Sequence, residues 1–133
     1  MEPYSADSAK RKERKFFRGN SLVPNVKVVA IYSSLGFPIA SILPQGVDET
    51  SIAAMTVAFH SLAKRTVIEM RKGVFEALYI KGADGYIITV SVIDHDFDLI
   101  VVFSTTRDVN LSFISPDNLR RIVVEVVLSV FKV

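Results

Sequence analysis

The chain has 133 residues, of which half are hydrophobic and 23% are charged, and this composition is typical of one folded globular domain with a short extension. It contains no cysteine and only two histidines, which excludes disulfide scaffolds, thiol catalysis and thiolate metal sites. The net charge is +2, yet residues 1–20 alone carry six basic and three acidic side chains, so the excess positive charge belongs to the N-terminus.

Residues 1–20 are therefore interpreted as a basic, helix-permissive arm, followed by a domain over residues 21–133. Neither a secretion signal nor an apolar run long enough to cross a bilayer is found, and we predict a cytoplasmic protein. The arm can contact an anionic membrane surface, pair with a partner or act as a solubilising extension. Because its cations are not interleaved with aromatic side chains, we do not expect nucleic acid as a partner.

Two short apolar runs predict a first pair of antiparallel strands, over residues 26–32 and 37–43, joined by a loop that ends at Gly36. The first run shows no polar alternation, so both its faces are expected to be covered and the strand to be central. Pro38 places the second strand nearer an edge of the sheet.

A long helix is predicted from Asp48, as N-cap, to about Lys72, with Gly73 as the stop. Ile52, Met55, Phe59 and Leu62 recur at spacings of three and four residues, which predicts that they form its buried stripe.

Three further strands are predicted over residues 74–81, 86–93 and 97–104, joined by short turns. After Ser115 and Pro116, an apolar stripe favours a C-terminal helix, although its many valines also allow a strand. The predicted fold class is α+β. It is an α/β/α sandwich around a five-stranded antiparallel sheet, with element order β-β-α-β-β-β and N- and C-terminal helices.

No motif for chemistry is complete. There is no Gly-Lys dipeptide for a phosphate-binding loop, and Gly82 and Gly85 link two strands instead of opening a helix. Asp94, Asp96 and Asp98 have the spacing of the first calcium-loop ligands, but Leu99 and Thr105 occupy the positions of the required glycine and glutamate. His60 and His95 lack metal or nucleophile partners at a recognisable spacing, and we predict no metal, no cofactor and no enzymatic activity.

The strand predicted over residues 74–81 is apolar, and the order of the strands places it at an edge of the sheet. An apolar edge strand promotes aggregation unless something covers it. Pairing with the same strand of a second copy would cover it, and the alternative cover is the N-terminal arm. The residues predicted for a dimer interface are Val74, Phe75, Ala77, Leu78, Tyr79 and Ile80.

Residues 25–114 resemble the roadblock family of dynein light chains and their archaeal and bacterial relatives. The resemblance rests on the hairpin VVAIYSSLGFPIAS from Val28, on the alanine-bearing helix after Val47-Asp48-Glu49, and on GADGYII from Gly82. The closing segment DVNLSFI from Asp108 is also similar. Two features depart from the family: Ser33 and Ser34 stand where an aspartate is frequent, and the N-terminal segment is crowded with cations.

The resemblance implies a non-enzymatic scaffold that pairs with itself or a paralogue through the strand after the long helix, with the two long helices side by side across the continuous sheet. It also implies binding of a Ras-like small GTPase, with or without modulation of GTP hydrolysis, on the long helix. There the polar residues outside the stripe, His60, Lys64 and Arg65, are the expected partner contacts. The alternative is a small-molecule sensor domain, since sandwiches of this size can enclose a ligand between helix and sheet.

Overall fold

The computed structural model describes residues 23–94 and 97–131. The basic arm and its predicted helix, His95 and Asp96 lie outside the described residues. The elements are β1 (Val26–Ser33), β2 (Pro38–Ser41), α1 (Glu49–Glu69), β3 (Leu78–Gly82), β4 (Gly85–Asp94), β5 (Phe97–Thr105), a 3₁₀ helix (Leu111–Ile114) and α2 (Pro116–Phe131).

The five strands form one antiparallel sheet in the order β2-β1-β5-β4-β3. The apolar runs of β1 and β5 lie at its centre, and β2 and β3 form its two edges. This arrangement confirms the predicted fold class and the predicted positions of the central and edge strands. None of the described helices is both long enough and apolar enough to span a membrane.

The two faces of the sheet are covered unequally. The larger hydrophobic core lies between the sheet and α2, and it includes Phe103 of β5 and Leu119 and Val123 of α2. The smaller core lies on the opposite face, where Ala53 of α1 packs against Ala30 and Tyr32 of β1. Most of the hydrophobic burial that stabilises the domain is therefore on the α2 side.

An irregularity in β1 explains how this strand serves both cores. The pairing of β1 with β5 shifts register between Val28 and Ala30. Val28 and Ile31 belong to the core under α2, whereas Val29, Ala30 and Tyr32 belong to the cluster under α1. A bulge of this kind places two successive residues on one face of the sheet.

The two ends of α1 are set by a side-chain cap at its start and by a left-handed backbone conformation just after its last residue. As predicted, the Asp48 carboxylate caps the helix and accepts hydrogen bonds from the Thr50 amide at 3.1 Å and the Ser51 hydroxyl at 2.8 Å. The hydrogen bond from Ser51 is the main cause of a lowered Asp48 pKa. The predicted end at Lys72 was wrong by three residues, because Arg71 has a φ of 56° and closes the helix after Glu69.

The C-terminal segment is a helix, as its stripe favours, and not the strand that its valines also allow. The Asn118 amide donates to the Ser115 hydroxyl at 3.4 Å, so Ser115 occupies the predicted N-cap position before Pro116. Leu119, Ile122, Val123 and Val126 are buried against the sheet. An amphipathic stripe explains this burial.

Candidate interaction surface

The face of α1 that packs on the sheet consists of small and polar residues. Its buried members are Ala53, Thr56 and His60, spaced three and four residues apart. The His60 ring is 3% exposed, and its Nδ1 lies 2.8 Å from the Thr89 hydroxyl of β4. His60 was expected to contact a partner, and that prediction was wrong because the side chain is enclosed between α1 and the sheet.

The surroundings of His60 disfavour its positive charge. Burial lowers the pKa of His60, Lys64 lowers it further, and Asp98 opposes the shift. The ring of Phe75 contacts it edge-on, with 4.9 Å between ring centroids. Its Nε2 is buried and has no hydrogen-bond partner among the described residues. His60 is thus a packed neutral histidine in this fold.

The large apolar side chains of α1 lie on its outer flank. Met55, Phe59 and Leu62 are 45%, 49% and 63% exposed. Together with Ile52 they were predicted as the buried stripe. Ile52 is partly buried and packs against the smaller core, but for the other three residues the prediction was wrong, because Ala53 and Thr56 face the sheet instead. We call these three residues the exposed stripe. A contiguous apolar surface of this kind is typical of an interaction site.

The two other predicted partner contacts, Lys64 and Arg65, differ in exposure. Arg65 is exposed, and its Nε lies 3.3 Å from a Glu69 carboxylate oxygen one turn later. Lys64 is half-buried, on the side of the helix nearer His60. Of the two, Arg65 is the cation that a partner on the outer face of α1 can reach.

The edge strand begins later than predicted. β3 starts at Leu78, so Val74, Phe75 and Ala77 precede the strand instead of belonging to it. Phe75 packs against His60, which places it in a contact within the chain. Tyr79 is also engaged, since its hydroxyl donates to the Ile114 carbonyl at 2.7 Å. Ile80 also lies in β3 and is exposed. Unlike Phe75 and Tyr79, its side chain has no described ring contact or hydrogen bond within the chain.

A groove of about 660 Å³ separates the exposed stripe from the part of the sheet that α1 leaves uncovered. Met55 and Phe59 form the helix side of the groove, and Ile80 and Ile87 form part of its sheet side. The segment between β2 and α1 closes one side with Ile42, Leu43, Pro44 and Val47. No pattern in the sequence predicts this groove, because it depends on how far α1 extends over the sheet.

The acidic turn between β4 and β5 is described only in part by the structure. Within residues 23–94 and 97–131, no group of three or more acidic or histidine side chains is arranged to hold a metal ion. Two of the residues singled out in the sequence, His95 and Asp96, lie outside that range.

The sequence also matches the model of a known protein family. The roadblock/LC7 domain model matches residues 19–103, which is more than half of the chain. The chain belongs to the roadblock/LC7 family. The predicted resemblance is therefore confirmed, and the matched region of this roadblock domain covers the sheet and α1 but not α2.

Solved structures show the same fold. Myxococcus xanthus MglB is 17% identical, with a TM-score of 0.67 over 91% of this chain and 95% of the other. A roadblock/LC7 domain from Streptomyces avermitilis is 14% identical, with a TM-score of 0.62 over 84% and 92%. The gliding protein MglB from Thermus thermophilus is 12% identical, with a TM-score of 0.60 over 99% and 98%. A search of curated protein sequences gives no significant match.

Proposed function

We propose that this roadblock domain is a non-enzymatic cytoplasmic regulator that pairs with a second copy or a paralogue and binds a Ras-like small GTPase. The binding surface is the outer face of α1, and the exposed stripe is the observation that carries the proposal. Three large apolar side chains on one helix face are unusual on a protein that acts alone. Family membership supports the class of partner.

The charge beside the exposed stripe adds selectivity to the proposed surface. Arg65 lies on the outer face, and its partner Glu69 is exposed as well, so the pair can open at little cost in stability. A released guanidinium can then form hydrogen bonds with a carboxylate of the GTPase. In this proposal the apolar side chains supply affinity, and Arg65 orients the partner.

The test uses Leu62→Asp, which places a charge in the exposed stripe at a position that does not line the groove. Val124→Asp is the matched control, because Val124 is 51% exposed on α2, on the other face of the sheet. Each purified Ras-like GTPase of the source organism is loaded with GDP or a non-hydrolysable GTP analogue and titrated by calorimetry. GTP hydrolysis is measured with and without the domain.

We expect one GTPase to bind wild type and Val124→Asp equally. Leu62→Asp should weaken that binding at least tenfold, since hot-spot truncations at interfaces cost about 2 kcal/mol or more. Arg65→Glu with Lys64→Glu should weaken it as well without unfolding the protein, which a thermal unfolding measurement checks. Equal binding by Leu62→Asp and Val124→Asp, or no binding by any GTPase in either nucleotide state, would contradict the proposal.

A further inference from the structure

The segment that ends α1 and leads toward β3 is exposed over its whole length. We call residues 68–74 the basic turn. Three of its side chains are large and apolar: Ile68 is 58% exposed, Met70 is 65% exposed and Val74 is 86% exposed. None of residues 68–74, all of which the structure describes, lines the groove beside α1. The basic turn is therefore a surface separate from that groove.

The basic turn presents positive charge that no other side chain neutralises. Arg71 and Lys72 are exposed and form no ion pair with any described residue. The carboxylate of Glu69 is already engaged, since it lies 3.3 Å from the Nε of Arg65. Over residues 64–76, the basic side chains outnumber the acidic ones four to two. A partner that approaches this turn therefore meets a positive surface between apolar side chains.

The backbone of the basic turn has a conformation that does not favour arginine. Arg71 has a φ of 56°, in the left-handed region that glycine adopts readily and other residues adopt at a cost. Two hydrogen bonds close the turn, from the Arg71 amide to the Ile68 carbonyl at 3.1 Å and from the Lys72 amide to the Val67 carbonyl at 3.0 Å. The Arg71 side chain forms no hydrogen bond or ion pair among the described residues that offsets this cost. An exposed charge on a strained residue is typical of a position that contacts a partner.

The mixture of apolar and basic side chains favours a lipid surface over a protein as that partner. The buried centre of a protein interface is depleted in charged residues, whereas Arg71 and Lys72 stand between Met70 and Val74 in the sequence. Segments that lie at a membrane surface combine apolar side chains, which enter the boundary between headgroups and acyl chains, with lysine and arginine, which stay at the headgroups. Anionic headgroups complement the charge of the basic turn.

We propose that the basic turn binds the surface of a membrane that contains anionic phospholipids. The three apolar side chains enter the interfacial region, and Arg71 and Lys72 stay at the anionic headgroups. Each cation near such a surface strengthens binding about fivefold. This contact is additional to the predicted contact of residues 1–20 and does not depend on the proposed GTPase surface.

Tryptophan fluorescence tests the insertion of the basic turn, because the chain contains no tryptophan of its own. Val74→Trp places a single indole in the basic turn, and Val124→Trp is the matched control at a 51% exposed position of α2. Each full-length variant is titrated with vesicles of phosphatidylcholine alone, or of phosphatidylcholine and phosphatidylserine at about two to one. We expect a blue shift and quenching by brominated lipid for Val74→Trp with the anionic vesicles, and neither effect for Val124→Trp.

Sedimentation with the same vesicles tests the charges. Arg71→Gln with Lys72→Gln removes the two cations of the basic turn. Arg120→Gln with Arg121→Gln is the matched control, because it removes two adjacent exposed cations from α2 and lowers the net charge equally. We expect the first double variant to bind anionic vesicles about 25-fold more weakly than wild type, and the control to retain wild-type binding. Residues 1–20 are present in every variant, and thermal unfolding shows that each is folded.

Any of three results would overturn the proposal. The first is an absence of binding, or equal binding to neutral and anionic vesicles. The second is an equal effect of the two double variants, including no effect of either, which would assign the binding to net charge or to residues 1–20. The third is a blue shift of Val74→Trp that a Ras-like GTPase produces and anionic vesicles do not, since a protein would then be the occupant of the basic turn.

Discussion

His60 is a titratable side chain enclosed at the contact between α1 and the sheet, and it ties stability to pH. Burial lowers its pKa in the folded chain, whereas an unfolded histidine has a pKa of about 6.5. The unfolded chain therefore takes up the proton first as the pH falls. The free energy of unfolding should decrease below about pH 6.5, by at most about 1.4 kcal/mol for each pH unit, until the pH reaches the lowered pKa of the folded state.

Denaturant unfolding between pH 7.5 and pH 5 measures this dependence on pH. His60→Gln should reduce the slope of unfolding free energy against pH, whatever its effect on stability at pH 7.5. His95→Gln removes the other histidine of the chain, so comparison of the two variants separates the contributions of the two histidines to the slope. The same slope in wild type and His60→Gln would assign the pH dependence to other groups.

At the scale of single elements, the turn between β3 and β4 is fixed by one glycine. Gly85 has a φ of 142°, and a Cβ at this position would lie 2.0 Å from the Thr105 carbonyl oxygen. The neighbouring Tyr86 amide donates to the Thr105 hydroxyl at 2.9 Å, so the turn is held against the end of β5. A side chain at position 85 forces these backbones apart.

Gly85→Ala should therefore lower the free energy of unfolding by about 1–3 kcal/mol or more. Gly82→Ala is the matched control at the other end of the same turn, because a Cβ there meets its nearest atom at 3.5 Å and no positive φ is required. Urea unfolding of the three proteins gives the comparison. Equal midpoints for Gly85→Ala and Gly82→Ala would show that the backbone yields without cost.

The elements differ in how far the sequence predicts them. Strands β1, β4 and β5 and both described helices were predicted within a few residues, because their apolar runs and caps are local signals. The face of α1 that packs on the sheet was not predicted correctly. Met55, Phe59 and Leu62 recur with the helical period, and so do the residues that are buried, so the period alone does not distinguish the two faces. The spacing of Ala53, Thr56 and His60 was the available signal, but two small residues and a histidine are a weak indication of a core face.

At the scale of the whole molecule, the family could be recognised from the order and spacing of the elements, because local patterns fix that order. The groove could not be predicted from the sequence. It exists because α1 covers less of its face of the sheet than α2 covers of the other face. The contacts of residues 1–20 with an anionic membrane remain a prediction from charge alone.

The proposed pairing of two copies depends on β3, which is an edge of the sheet. An edge strand offers unpaired backbone groups to another chain, and the exposed Ile80 and Ile87 extend an apolar surface beside it. We expect wild type to have a mass near twice 14.8 kDa in light scattering.

The interface is best tested at Ile80, because substitution of Phe75 or Tyr79 would disturb contacts within the chain. In β3 pairing about a two-fold axis, Ile80→Asp brings two carboxylates into one interface, and their repulsion should shift the protein to a folded monomer. Ile39→Asp is the matched control, since Ile39 is 41% exposed on the opposite edge strand β2 and Ile80 is 40% exposed on β3. If Ile80→Asp stays dimeric while Ile39→Asp dissociates, the copies pair through β2 and the assignment of β3 is wrong.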